Sequence, residues 1–137
     1  RAAVAVDQKQ VAQIDSGLLV LVGFRRGDRP ERLDRFIERL LNYRLFADER
    51  GRMNRSLRDT HGQLLLVPQF TLAADTNSGN RPSFTPAAAP DVSAELFDQL
   101  VKKAGELWPG IASGRFGADM QVSLINEGPV TFWLEVD

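Results

Sequence analysis

The sequence contains no cysteine, which excludes disulfides, thiolate metal sites and cysteine nucleophiles. Histidine occurs once, as His61, so two-histidine metal motifs are excluded and a Ser-His-Asp triad would rest wholly on that residue. His61 precedes Gly62 in a polar stretch without a period, the setting of an ordinary turn residue. Long hydrophobic runs are missing too. No stretch approaches the roughly 18 apolar residues of a membrane span, and no signal-peptide pattern opens the chain. A soluble cytoplasmic protein is expected, with no metal and no cofactor. Lysine is scarce, with three (Lys9, Lys102, Lys103) against 14 arginines.

What is present fits one domain. The chain has 137 residues, of which 43% are hydrophobic, enough for a sizeable core. The net charge of −1 excludes a histone-like polycation but hides an asymmetry. Residues 25–58 hold 11 arginines against six acids, whereas residues 91–137 hold eight acids against three bases. Solvated helix faces account for such arginines in the ordinary case. The sharper reading is a phosphate-contacting patch, because guanidinium forks match phosphate oxygens.

Periodicity predicts alternating elements. Val4–Val6 and Val11–Ile14 read as a hairpin, and Leu18–Phe24, apolar on both faces, as a buried central strand. Asp28 and Pro30 look like a helix start, followed by Leu33, Phe36, Ile37, Leu40, Leu41 and Arg44 at helical spacing. Arg32, Arg35 and Arg39 fall on the opposite face. Leu64–Val67 is a short strand that Gln69–Leu72 could extend, and residues 73–90 form a long loop. Asp91 caps a second helix carrying Val92, Leu96, Leu100, Val101, Ala104 and Leu107 on one face. Two alternating runs, Phe116–Leu124 and Val130–Val136, make a hairpin about a Gly-Pro turn. The sum is a sheet-dominated α/β or α+β domain with two helices.

Two stretches could carry chemistry. Gln69 and Thr71 sit two apart around Phe70 and share a face if the chain is extended. A strand end offering an amide, a hydroxyl and free backbone N–H groups can bind a carbonyl oxygen and orient a water. An ordinary strand with a wet side has the same spacing. The second stretch is Asn126-Glu127-Gly128-Pro129-Val130-Thr131, either plain hairpin punctuation or a turn of fixed shape. The paired carboxylates Asp48-Glu49 sit in an evident turn and look solvated.

Together these stretches make the chain recognisable. It resembles the D-aminoacyl-tRNA deacylase family, the editing enzymes that remove D-amino acids from tRNA. The resemblance is carried by Gln69 to Thr76, by Arg81-Pro82-Ser83-Phe84, by Gly114 to Val122, and by Asn126 to Trp133. Gly17–Gly23, Tyr43 to Phe46 and Met53-Asn54 also agree. It spans nearly the whole chain, residues 1–137 forming one deacylase domain. Relative to the family, the chain starts near where members have completed a first strand, so about one N-terminal strand is expected to be missing.

The resemblance implies a β-barrel-like α/β domain with two flanking helices, acting as a homodimer. It implies a carboxylic-ester hydrolase with tRNA as partner, no membrane and no cofactor. Gln69, Phe70 and Thr71 would build the catalytic site, with backbone N–H groups around Gln69 and Phe70 as the oxyanion donors. A cis Gly128–Pro129 bond would enter the partner subunit's site as a chirality gate, with Met120, Asn126, Val130 and Thr131 around the substrate. Its carbonyls would hold the α-amino group, so an L side chain meets backbone while glycine passes. Thr71 lacks a neighbouring base in the sequence. Attack by water, helped by the neighbouring ribose hydroxyl, with Gln69 and Thr71 orienting groups, is therefore the expected chemistry. Pro68 stands where the family usually has Ser, as in the animal-type relative that acts on mischarged L-alanyl-tRNA. That relative, or an RNA-binding protein with an impaired site, is the alternative.

Overall fold

The computed structural model describes all 137 residues, Arg1–Asp137. Its strands are β1 (Ala2–Val6), β2 (Lys9–Ile14) and β3 (Gly17–Val22), then β4 (Phe46–Ala47) and β5 (Met53–Arg55). β6 (Gln63–Pro68), β7 (Ile111–Ser113) and β8 (Met120–Leu124) complete them. The helices are α1 (Leu33–Asn42), α2 (Leu57–Thr60) and α3 (Pro90–Leu107), with 3-10 turns at Pro30–Arg32 and Phe70–Ala73.

Three layers result. One sheet has the order β3-β6-β7, all parallel, and a second has the order β2-β1-β8, antiparallel. The central strand β6 alternates between two cores. Leu64 and Leu66 face α1 and α3, packing with Ile37, Leu41, Leu96 and Leu100. Leu65 and Val67 face the other sheet, meeting Ala2, Val4 and Ile14. All four β6 side chains are fully buried, so each contributes about 1.5–3 kcal/mol of burial. Both three-stranded sheets are open, which corrects the barrel-like expectation.

The first hairpin forms as predicted. β1 and β2 meet about Asp7 and Gln8, both at positive φ (50° and 66°), the turn geometry that suits the twist of paired strands. Other expectations shift. The Leu18–Phe24 run is an edge strand and not the central one. Its two-faced apolar pattern arises because Leu18 and Val20 meet the helix layer while Leu19 meets the second sheet. Leu21 is left 43% exposed. Helix α1 is entered through the 3-10 turn with Arg29 at its cap position, while the Asp28 carboxylate accepts from the Arg25 N–H at 2.7 Å. α1 ends at Asn42, before Arg44. α3 opens with Ala89 at the cap and Pro90 in its first position, so Asp91 lies in the first turn, favourably placed for the helix dipole. Val92 and Leu107 are exposed, and Ser93 and Phe97 are buried in their stead.

The C-terminal hairpin does not form. β8 begins only at Met120, after a turn with Gly117 at φ 77°, and pairs with β1. Residues 130–136 are not a strand. The last backbone bond of this region is Ile125 N–H to the Arg1 carbonyl, 2.8 Å. Beyond it the chain leaves β8 and crosses to the helix-side core. There Leu134 packs, and Arg25 holds Asp137 at 3.0 Å and Glu135 at 3.6 Å.

Candidate active site

The candidate site starts where β6 runs out. Gln69 is not a continuation of the strand, as its spacing suggested, because the chain tightens into the 3-10 turn Phe70–Ala73. The turn is fastened from both sides. The Gln69 N–H donates to the Val22 carbonyl at 2.7 Å, Leu72 N–H to Gln69 at 3.2 Å, and Ala74 N–H to Thr71 at 3.1 Å. Gly23 supports it from below. A Cβ there would lie 2.9 Å from the Gln69 oxygen and 3.0 Å from the Leu72 Cβ, so only glycine lets β3 approach so closely.

This geometry joins Gln69 to Thr71 by a different route from the one expected. The Gln69 Nε2 donates to the Thr71 Oγ1 at 2.5 Å, across the turn and not along a strand face. The bond makes the Thr71 hydroxyl an acceptor and gives it no base. His61 is no candidate for that role. It sits in a left-handed conformation after α2, before β6, so the strand's length of about 20 Å separates it from Gln69. The N–H groups of Phe70 and Thr71, opening the turn, have no partner within it. Two amides in sequence at an exposed turn can bind an oxyanion. The Gln69 N–H, spent on Val22, is not one of them.

Around the turn, the 74–89 loop folds back by a two-way pairing of Asp75 with Ser83 (2.8 and 2.9 Å). That brings the Phe84 ring to 5.2 Å from Phe70, the two tilted by 58°. Phe84 was not singled out by spacing. Its only signal was the Arg81–Phe84 block. Pro68 is buried and its missing N–H costs little. Gln69 N–H points to β3, so position 68 points to the β7 side, beyond the last pair of that ladder, Leu66 with Ser113. Met120 reaches the same end of β6. A Cβ on Gly114 would meet the Met120 sulfur at 2.8 Å and Pro68 Cδ at 3.4 Å.

The Asn126–Thr131 stretch is organised separately. Asn126 Nδ2 donates to Thr131 Oγ1 at 3.2 Å, clipping a turn that holds the cis Gly128–Pro129 bond. No hydrogen bond joins this turn to Gln69, Phe70 or Thr71 of the same chain. Val130 is half-buried, while Gly128, Pro129, Thr131, Phe132 and Trp133 are exposed.

Comparison with known proteins agrees with the motifs. The family model described as D-Tyr-tRNA(Tyr) deacylase matches residues 1–135. The chain is 57% identical over 136 residues to the D-aminoacyl-tRNA deacylase of Herminiimonas arsenicoxydans, covering 99% of this chain and 91% of that protein. It is 58% identical over 135 residues to the one from Pseudomonas entomophila, covering 98% and 93%. Among solved structures it is similar to a c-Myc DNA unwinding element binding protein, with a TM-score of 0.93, 33% identity, and coverage of 99% and 93%. A probable eukaryotic D-amino acid tRNA deacylase shares the fold at a TM-score of 0.79, with coverage of 93% and 90%. The chain belongs to the D-aminoacyl-tRNA deacylase family of hydrolases.

Proposed function

We propose that this chain hydrolyses the ester of D-aminoacyl-tRNA, and of glycyl-tRNA, while rejecting L-aminoacyl-tRNA. The observation that carries the reading is the exposed turn at Phe70–Ala73, with two amides open at its start, in a chain matched by the family over residues 1–135. Water attacks the ester carbonyl carbon, and the resulting oxyanion is held by the Phe70 and Thr71 N–H groups. The bond to the ribose oxygen then breaks and that oxygen takes the proton from the attacking water. Free D-amino acid and tRNA leave. The neighbouring ribose hydroxyl assists the proton transfer, and the Gln69–Thr71 pair orients the ester without forming a bond to it.

Selection by chirality falls to Gly128 and Pro129. Backbone carbonyls there hold the α-amino group, and an L side chain would run into the backbone. Met120, Asn126, Val130 and Thr131 shape the surroundings. In this reading the gate serves the site of a second copy in a homodimer. The unpaired stretch from residue 126, with Phe132 and Trp133 57% and 66% exposed, supports that assignment. Deacylation of D-tyrosyl-tRNA, glycyl-tRNA and L-tyrosyl-tRNA tests the reading. The first two are cleaved and the third spared. Binding of all three without turnover would sink it.

A further inference from the structure

The 11 arginines of residues 25–58 are not equivalent in the fold. Arg25, Arg55 and Arg58 are each paired with a carboxylate, on Glu135 and Asp137, on Glu49, and on Glu38. Arg32, Arg35 and Arg39 have no carboxylate partner and line the outer face of α1 and its entry turn, opposite the buried Leu33, Ile37 and Leu41. The acids of α1 are drawn aside. Asp34 meets Lys103 on α3 at 3.3 Å, and Glu38 meets Arg58 at 3.3 Å. The three guanidinium groups therefore form a stripe about 10 Å long at the helical rise, with no ion pair of their own and with Glu31 of the entry turn as the one unpaired acid beside it. Arg39 also lies over the Tyr43 ring, 5.5 Å from its centre, beside a shallow cavity of about 330 Å³.

The stripe has a direction. β3 and β6 are parallel and α1 lies between them in the chain, so α1 runs back along the sheet and begins at the carboxyl ends of those strands. The Gln69 turn lies at that same end. A nucleic acid whose terminus enters the turn therefore has this rim, at the same end of the sheet, available for its next phosphates. We propose that Arg32, Arg35 and Arg39 are the docking stripe for the phosphate backbone of the tRNA acceptor end. The inference rests on the proposed substrate and adds where its backbone lies.

The test uses the full chain and uncharged tRNA, with the dissociation constant measured as a function of salt. Arg35→Gln with Arg39→Gln is expected to weaken binding about tenfold near physiological salt and to lower the slope of log K against log salt by about one to two. Arg50→Gln with Arg52→Gln, equal in charge but on the β4–β5 turn, is expected to change neither. An unchanged slope in the first variant, or the same loss in both, overturns the stripe. Hydrolysis of D-tyrosyl-adenosine, which has no phosphate, is followed in the same preparations. Wild-type protein that binds tRNA with the expected slope but cleaves neither this ester nor D-tyrosyl-tRNA overturns the proposed function and leaves the stripe standing. A stripe variant that loses equally on the adenosine ester shows that the arginines shape the site instead, and overturns docking.

Discussion

The turn at Phe70–Ala73 is fastened at its base by backbone hydrogen bonds within the chain, whereas the stretch from Asn126 to Asp137 is fastened by a few side chains and no backbone ladder. The first has Val22, Gly23 and the Thr71 hydroxyl holding Gln69 in place. The second has the Asn126–Thr131 clip at one end and Arg25 gripping Glu135 and Asp137 at the other. A pre-organised turn suits a group that must hold an oxyanion without moving. A stretch with open backbone groups and exposed aromatics suits a segment completed by another surface. The proposed division of labour follows: one region does chemistry, the other selects and assembles.

That division can be broken experimentally. The largest effect is expected from Gly23→Ala, whose Cβ would press on the Gln69 oxygen at 2.9 Å. The contact is relieved only by moving the turn, and a misplacement approaching about 1 Å lowers D-aminoacyl ester hydrolysis about 100-fold. The preference for D over L should survive, as kcat/KM on the two substrates would show. Gly128→Ala should do the reverse. Its Cβ would stand 2.6 Å from the Val130 nitrogen, so the gate must shift. Discrimination then falls about tenfold, or 1.4 kcal/mol, while the D-substrate rate is largely kept. If the two variants had the same phenotype, the regions would not have separate tasks.

A smaller effect concerns assembly. Phe132→Ser with Trp133→Ser removes the exposed aromatics of the tail, and sedimentation is expected to show a shift towards monomer with activity that becomes concentration-dependent. A variant that sediments as wild type places the contact elsewhere. The smallest effect is on acid stability. The backbone N–H groups of Arg52 and Arg50 hold the Asp48 carboxyl below the usual carboxylate range. A depressed value in the folded state means that the stability it contributes is present at neutral pH and lost as pH falls through the folded value. Asp48→Asn should thus lower the melting temperature slightly at pH 7 and make no difference in strong acid. A change confined to low pH would reverse that sign.

Much of this molecule was legible in its sequence because local rules dominate it. The β1–β2 hairpin, the amphipathic α1 and the Leu96–Leu100–Ala104 stripe of α3 follow from periodicity that tertiary packing leaves intact. The failures share a cause. Whether β3 is central or at an edge depends on which strand arrives beside it, information that lies in residues 63–68 and not in Leu18–Val22. Val130–Val136 alternates like a strand, yet alternation reports two environments and not a partner. Gln69 and Thr71 meet through a 3-10 turn that a period-of-two argument does not show, not along the extended face that their spacing suggests. Phe84 reached the site only through the loop pairing of Asp75 with Ser83, which no spacing announces.

In the proposed mechanism, ester cleavage is carried by the amides of the Phe70–Ala73 turn and not by a nucleophilic side chain. Single-turnover hydrolysis of D-tyrosyl-tRNA by Thr71→Val measures it directly, with fold and tRNA binding checked alongside. The variant is expected to retain cleavage, slowed about tenfold by the loss of the hydroxyl that holds Gln69. Abolished cleavage in a folded, tRNA-binding variant would make Thr71 the nucleophile and contradict that mechanism.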